Sequence, residues 1–279
     1  MGLGMGMGLS GGLGVHQAAT RLIGAFTPPS TVSPVSWDVG MAVACIVLST
    51  VWVQLWSVLV QQGKLPSTVS RKVVHCSSGP LFLLFWPFFS PAGRYMAAAV
   101  PLLQATRLTL AGFAAAKSGS GGGFRKQNPL VQVVSRSGSA SEAVGGPLLY
   151  VLVLAVATIL EWRASLVGVM AVCQMAAGDG LADLVGRHVK GKKWWFSEHK
   201  SYVGSLAFVA GGFVVSLALV GWLHALGCIA VSAQAAALRV LGISAVCAVV
   251  EAVAMDGVDD NVSVPVAAAV LTRVLFPGL

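Results

Sequence analysis

Long apolar runs recur along the chain and are separated by short polar connections. A helix needs roughly 20 residues to cross a bilayer core of about 30 Å, and the apolar runs have about this length or are slightly shorter. Lys, Arg, Asp and Glu make up only 10% of the residues, whereas they make up about 25% of soluble domains. The sequence therefore predicts an integral membrane protein.

Only helices and closed barrels can span a membrane, because lipid offers no partners to backbone N–H and C=O groups. A barrel strand would alternate apolar and polar residues over about ten residues, and the runs do not alternate in this way. We therefore predict an all-α fold, a polytopic transmembrane helical bundle with about six to eight spans. Pro80 and Pro87 are expected to kink the second span or to make it re-entrant. The expected spans are 37–60, 73–90, 95–116, 145–160, 165–182, 203–223, 240–255 and 262–278.

The chain is expected to consist of an N-terminal segment and one membrane domain. Residues 1–36 are rich in Gly, Ser, Thr and Pro, and Arg21 is the only charged residue among them. Acid-poor segments with many hydroxyl groups are typical of organelle transit peptides, and a disordered tail is the alternative. Residues 37–279 are predicted to form a single membrane-embedded domain. Within it, the basic, Gly- and Ser-rich segment 117–142 is predicted to be a flexible loop.

The basic residues give a net charge of +8, but they lie in loops between apolar runs. If the spans alternate in direction, most Lys and Arg residues fall on one side of the membrane, which we call side A. This asymmetry indicates that side A faces the cytosol or the stroma, and we expect no nucleic-acid partner. The polar clusters described below also fall on side A, so we predict one composite site there.

The most unusual polar segment is GDGLADLVGRHVKGKKWWFSEHKSYVGS, which covers residues 178–205. Asp179 and Asp183 are spaced i, i+4 and therefore share one face of a helix. They lie at the end of an apolar run, where two unpaired like charges would be costly. Mg²⁺ prefers carboxylate oxygens together with phosphate oxygens and water. The spacing thus favours a Mg²⁺ site at this pair, and ion pairs with local basic residues are the alternative.

A glycine-punctuated basic loop follows the two aspartates. Gly180, Gly186 and Gly191 allow a close approach of the backbone, and five basic residues surround them: Arg187, Lys190, Lys192, Lys193 and Lys200. Phosphoryl transfer needs fixed positive groups of this kind beside a metal ion. The loop contains neither a Walker A motif nor a dinucleotide-binding fingerprint. A basic loop that contacts anionic lipid is the alternative.

The end of the same segment leads back into the membrane. Trp194, Trp195 and Phe196 are expected to be anchors at the membrane interface, with stacking on a nucleobase as the alternative. Ser201 is placed to cap the next helix, and together with Lys200 it could also meet phosphate at the helix N-terminus. These two roles are compatible.

Two further clusters contribute to the predicted site. In RKVVH, His75 is either a general base or phosphate contact, or a structural histidine. Glu251 lies in an apolar run, where a carboxylate indicates function by default. An acidic loop follows it and could pair with the basic loop, supply a base for a hydroxyl proton, or be a solvated turn. This loop contains Asp256, Asp259, Asp260 and Asn261.

Four segments resemble those of the phytol kinase and farnesol kinase family, the relatives of dolichol kinase. They occur in the family's order within residues 40–279 and read SRKVVHCSSGPLF, RSGSASEAVGGPLLY, AAGDGLADLVGRHVKGKKWW with HKSYVGSLA, and EAVAMDGVDDNVSVPVAA. The resemblance implies a membrane kinase that phosphorylates an isoprenoid alcohol, phytol above all, with CTP or another nucleoside triphosphate and Mg²⁺. It further implies tocopherol biosynthesis and a chloroplast membrane, or an endomembrane if the protein is not plastidic.

The resemblance also implies roles for individual residues. Asp179 and Asp183 would hold the metal and its nucleotide. The catalytic set is expected to be Asp179, Asp183, Lys200, Glu251, Asp260 and His75. The nucleotide and phosphate contacts are expected to be Gly180, Gly186, Arg187, Lys192, Ser201, Gly204, Ser205, Arg71 and Lys72. Asp259 and Asn261 would complete the site.

Two other functions share some of these features. A cytidylyltransferase that acts on a lipid phosphate would also combine a CTP site with membrane carboxylates, but it would release pyrophosphate. An ion-coupled transporter would carry charges near the midplane of several helices and would show inverted repeats. The carboxylates of this chain fall mostly at helix ends on side A, which argues against a transporter.

Overall fold

The computed structural model describes residues 28–117, 144–253 and 258–278. Within these ranges the chain folds into helices joined by short connections, and no strand is present. The helices are α1 (Pro34–Gln61), α2 (Ser67–Phe85), α3 (Arg94–Lys117), α4 (Gly146–Leu160), α5 (Leu166–His188), α6 (Tyr202–Ala225), α7 (Ala233–Val253) and α8 (Asp260–Leu275). The prediction of an all-α membrane bundle is confirmed. Most of the predicted tail (1–36) and nearly all of the predicted loop (117–142) lie outside the described residues.

Five of the described helices are long and apolar enough to cross a membrane, namely α1, α3, α5, α6 and α7. The second span is a continuous helix, because α2 runs through Pro80 and ends at Phe85, just before a 3-10 turn that contains Pro87. Its 19 residues would extend over about 28 Å at 1.5 Å per residue. This length is close to the thickness of a bilayer core, but α2 is not among the five helices that are apolar enough to cross a membrane. The seventh span begins at Ala233, earlier than the predicted residue 240.

Helix α5 is the central element of the bundle. In its most apolar stretch 89% of the residues are buried, compared with 11% in α1. On one side α5 packs against α6 and α8, and α6 in turn packs against α7. On the other side α5 packs against α2 and α4. Helices α1 and α3 complete a ring, since α1 packs on α2 and α3, and α3 packs on α4. The interior of this ring of five helices contains the cavity described below.

One turn of α5 is wider than the rest, because residues Gln174–Gly178 form a π turn. Single π turns within α-helices occur frequently at functional sites. Gln174 is fully buried, and its amide nitrogen donates to Ser216 on α6 (3.1 Å) and Ser244 on α7 (3.0 Å). The turn ends immediately before Asp179, so it determines where the first carboxylate of the predicted site lies.

Contacts between helix ends show that successive helices alternate in direction. On side A, ion pairs join the start of α2 to the end of α5, through Lys72 and Asp183. On the opposite side, Asp38 at the start of α1 accepts hydrogen bonds from the backbone nitrogen (2.7 Å) and the hydroxyl (2.6 Å) of Ser90. Arg163 donates to the carbonyl of Pro87 at 3.1 Å on that same side. The predicted clusters of side A are therefore held at one end of the bundle.

Candidate active site

The first part of the site lies between α2 and α5. The Lys72 ammonium is 3.6 Å from Asp179 Oδ2 and 3.1 Å from Asp183 Oδ2. The i, i+4 spacing on α5 places both carboxylates towards α2, as the sequence indicated. The side chains of Lys72 and Asp179 are only 11% and 10% exposed. They form a nearly buried ion pair, and removing either side chain would leave the other charge buried without a partner.

Asp183 is surrounded by positive charge. Its Oδ1 accepts a hydrogen bond of 2.5 Å from Arg187, one turn further along α5, and its Oδ2 lies 3.8 Å from the Arg71 guanidinium. Three basic side chains, those of Arg71, Lys72 and Arg187, therefore converge on one carboxylate. Asp183 thereby organises the basic groups of the site.

His75 lies one turn beyond Lys72 on α2 and faces α5. Its Nε2 is 3.2 Å from the backbone oxygen of Met175 and 3.3 Å from Asp179 Oδ2. Both neighbours can only accept hydrogen bonds, so Nε2 carries the proton. In the neutral ring Nδ1 then has the lone pair and can accept a hydrogen bond.

Tyr150 on α4 supports His75, and the sequence analysis did not identify it. Its hydroxyl donates to the backbone oxygen of His75 (3.0 Å) and accepts from the backbone nitrogen of Gly79 (2.8 Å). These two backbone groups would pair with each other in a regular helix, so the hydroxyl is inserted into the hydrogen-bond ladder of α2. The rings of Tyr150 and His75 are 4.6 Å apart. The sequence could have indicated Tyr150, because it is a single tyrosine in an apolar helix and a buried hydroxyl needs a hydrogen-bond partner.

The second part of the site surrounds Lys200, which lies in the connection between α5 and α6. Its ammonium donates to Glu251 at the end of α7 and, at 3.0 Å, to Asp260 at the start of α8. Burial would lower the pKa of Lys200, but the attraction of these two carboxylates outweighs burial and raises its pKa to about 12. Lys200 is therefore a fixed positive charge at any physiological pH.

Three carboxylates from three helices come together where the two parts of the site meet. Oxygen atoms of Asp179, Glu251 and Asp260 all lie within 4.8 Å of one another. Asp259 caps α8 by accepting the backbone N–H of Asn261 at 2.9 Å, which fixes the start of that helix. Carboxylate oxygens at this separation match the hard oxygen ligands of Mg²⁺. The donor set Asp179, Glu251 and Asp260 thus fits a divalent cation, and the predicted metal pair, Asp179 and Asp183, shares its first carboxylate.

Three glycines predicted to lie at the site serve helix packing. A Cβ atom on Gly180 would overlap the Cys76 sulfur and lie 3.3 Å from the His75 ring, so the glycine lets α5 approach α2. Gly186 and Gly204 face each other across α5 and α6, since a Cβ on either would be 3.6 Å from the Cα of the other. These glycines bring the charged residues of three helices within reach of one another.

The predicted serines and the basic loop form the rim. Ser201 caps α6 by accepting the N–H of Gly204 at 3.1 Å, as its N-cap role requires, and the Ser205 hydroxyl accepts from the Trp194 indole at 2.9 Å. Trp194 packs against Tyr202, while Trp195 is 87% exposed.

Of the predicted phosphate contacts, Lys192 is exposed and does not line the cavity, whereas its neighbour Lys193 does. Asp256, from the predicted acidic loop, lies outside the described residues.

The charged side chains of the two parts of the site line one end of a large cavity of about 1370 Å³. Ligand pockets usually measure about 300–1,000 Å³, so this cavity has room for more than one ligand. Its charged end is walled by six acidic and five basic side chains, and its other end, the apolar arm, extends among α1, α2, α3 and α4. The arm is lined mainly by Cys45, Leu48, Trp52, Val53, Leu81, Phe82, Phe85, Val100, Pro101, Leu108, Val151 and Leu154.

A helical membrane bundle with a charged site at one end of a deep cavity fits an integral membrane enzyme. No protein-family profile and no solved structure matches the chain. The chain is 35% identical to phytol kinase 1, chloroplastic, of Arabidopsis thaliana over 242 residues, which are 86% of this chain and 77% of the relative. It is 37% identical to a probable chloroplastic phytol kinase of Triticum aestivum, over 80% of this chain and 73% of the relative.

A third relative is the chloroplastic farnesol kinase of Arabidopsis thaliana, 32% identical over 79% of this chain and 70% of that protein. The chain therefore belongs to the phytol kinase and farnesol kinase family, as the four sequence segments indicated. The names of these relatives, together with the apolar helices, confirm the expected location in a chloroplast membrane.

Proposed function

We propose that the protein transfers the terminal phosphoryl group of CTP, or of another nucleoside triphosphate, to the primary hydroxyl of phytol. The product, phytyl phosphate, would enter tocopherol biosynthesis. One observation carries the proposal: a single cavity has a charged end suited to a nucleoside triphosphate and an apolar arm suited to an isoprenoid chain. The relatives named phytol kinase and farnesol kinase support the same reaction.

The charge of the cavity wall supports a role for Mg²⁺. Six acidic and five basic side chains nearly cancel, so the wall alone would not attract a polyanionic triphosphate. In the proposal Asp179, Glu251 and Asp260 hold the ion, and their oxygen atoms are close enough to share one cation. When bound, Mg²⁺ would neutralise the phosphate oxygens and hold them in a fixed orientation.

The basic side chains would bind and orient the phosphates directly. Lys72 and Lys200 each lie between two carboxylates of the site, so both ammonium groups are fixed beside the place where phosphate charge must be stabilised. Arg71 and Arg187 each form an ion pair with Asp183, which also contacts Lys72. Positive groups that are already oriented lose little free energy to reorganisation as negative charge develops.

In this proposal His75 accepts the proton of the substrate hydroxyl. It lines the cavity together with Ser78 on α2 and Tyr150 on α4, which adjoin the arm. The alcohol oxygen forms a bond to the terminal phosphorus as the bond from that phosphorus to the nucleoside diphosphate oxygen breaks. The hydroxyl proton passes to Nδ1, and Asp179 balances the resulting imidazolium charge. The products are the phosphorylated alcohol and the nucleoside diphosphate.

The experiment offers detergent-solubilised protein phytol, geranylgeraniol, farnesol and dolichol with each of the four nucleoside triphosphates. The proposal predicts phytyl phosphate and CDP as the products of the best pair, and loss of turnover in Asp179→Asn or without a divalent cation. A CDP-lipid together with pyrophosphate would instead identify the cytidylyltransferase. Equal turnover by Asp179→Asn would contradict the proposed role of the carboxylates.

A further inference from the structure

We infer that the apolar arm binds the isoprenoid chain of the acceptor, and that a floor formed by Cys45, Phe85 and Val100 limits the chain length that the enzyme accepts. This inference rests on the proposed function, because it concerns the acceptor half of the same cavity. It goes further by naming the residues that select among alcohols of different length.

The arm begins at the reacting end of the cavity. Along α2 the lining residues progress from His75 through Ser78 and Phe82 to Phe85. At 1.5 Å per residue these ten positions correspond to a depth of about 15 Å. The polar groups concentrate at the charged end, while the deeper wall is mostly aliphatic and aromatic. An alcohol would therefore lie with its hydroxyl beside His75 and its chain along the arm.

The arm ends short of the opposite side of the bundle on α1, α3 and α4, and on α2 it ends at Phe85, the last residue of that helix. The last lining residues towards the opposite side are Cys45 on α1, Phe85 on α2, Val100 on α3 and Leu154 on α4. An aromatic layer lies beyond them. Phe85 packs edge-on against Phe88 at 6.2 Å, and Trp86 and Phe89 are almost fully buried. A chain that continued straight in this direction would have to displace these side chains.

The depth of the arm sets a range of acceptors. A carbon chain with bonds of about 1.5 Å advances roughly 1.3 Å per bond when extended, so about 15 Å holds about twelve chain carbons. Farnesol matches this length when extended, and phytol and geranylgeraniol match it when their chains bend. A polyprenol as long as dolichol exceeds the arm. The floor therefore favours short isoprenoid alcohols.

Two substitutions at the floor test the inference in opposite directions. Phe85→Ala deepens the arm, so we expect kcat/KM for a longer polyprenol to rise about tenfold relative to that for farnesol. Val100→Phe shortens the arm, so we expect kcat/KM for phytol to fall about tenfold relative to that for geraniol. The matched control is Phe113→Ala on α3, whose side chain is 69% exposed outside the cavity. This control should keep the wild-type profile.

A chain-length profile that is unchanged in both floor variants would overturn the inference and leave the proposed kinase reaction intact. Failure of the wild-type protein to phosphorylate any alcohol would instead overturn the proposed function. If either floor variant fails to fold, a prenyl alcohol with a photoreactive group on its last isoprene unit tests the unmodified protein. Cross-links near Phe85 or Val100 support the inference, and cross-links near Phe113 or elsewhere on the outer surface contradict it.

Discussion

The hydroxyl of Tyr150 donates a 3.0 Å hydrogen bond to the backbone oxygen of His75. A side chain of α4 thereby completes the hydrogen-bond ladder of α2 at the residue that the proposed reaction uses as a base. Pro80, which follows Gly79, has no N–H, so the hydrogen-bond ladder of α2 lacks a second donor here although the helix continues. The position of the imidazole depends on this inserted hydroxyl.

We predict that Tyr150→Phe lowers kcat more than it changes KM for the alcohol. The variant keeps the ring that packs on His75 but loses the hydroxyl, so the base is less well positioned while the cavity keeps its shape. The free energy of unfolding should fall by about 1 kcal/mol. Steady-state kinetics and thermal unfolding in detergent measure both effects. Tyr95→Phe is the matched control, because Tyr95 is 68% exposed; an equal loss of activity in the two variants would argue against a role for Tyr150.

The carboxylates of the site give a second prediction. Glu251→Gln should raise the Mg²⁺ concentration needed for half-maximal activity at least tenfold, because one anionic oxygen ligand becomes a neutral amide. A Mg²⁺ titration of the initial rate measures this change. Glu161→Gln is the matched control, since Glu161 pairs with Arg273 at the opposite end of the bundle. Identical Mg²⁺ dependence in wild type and Glu251→Gln would show that Glu251 is not a ligand.

The pairing of Lys200 predicts a pH dependence of stability. Its pKa in the folded protein, about 12, is above the ordinary value of 10.5. The stabilisation, about 2 kcal/mol for this shift, is therefore fully present below pH 10.5 and is lost as pH rises through 12. Lys200→Met should unfold at lower temperature than wild type at pH 8, and the difference should shrink towards pH 12. Lys190→Met, which alters an exposed lysine, should unfold like wild type at both pH values.

The contact between Gly180 and Cys76 gives a fourth prediction. Gly180→Ala should strongly reduce activity, because the added methyl group would overlap the Cys76 sulfur and push α2 away from α5. The double variant Gly180→Ala with Cys76→Ala should recover most of the activity, since it removes the overlapping atom. Gly242→Ala is the control. Nothing lies within 4 Å of a Cβ there, and alanine favours a helix by about 1 kcal/mol.

Much of the fold was predictable from the sequence, because apolar runs of spanning length leave few alternatives to a helical bundle. The alternation of spans also predicted that Lys72, Asp179, Lys200 and Glu251 would lie on one side of the membrane. The pairing within that side was not predictable. The i, i+4 spacing of Asp179 and Asp183 indicates a shared helix face, but it does not show that Asp183 lies among Arg71, Lys72 and Arg187.

Two features of the site depend on contacts between distant parts of the chain. The approach of Glu251 and Asp260 to Asp179 depends on how α7 and α8 pack around α5. The insertion of Tyr150 depends on α4 facing the turn of α2 between His75 and Gly79. Spacing along the sequence carries information only about residues within one helix, so neither contact could be read from it.

The fate of the nucleotide phosphates tests the central claim most directly. Purified protein is supplied with phytol, Mg²⁺ and CTP that carries a radioactive label in either the γ- or the α-phosphate. The account predicts that the γ-label appears in phytyl phosphate and that the α-label remains in CDP. Transfer of the α-label to a lipid product, with the γ-label released in pyrophosphate, would contradict phosphoryl transfer at this site.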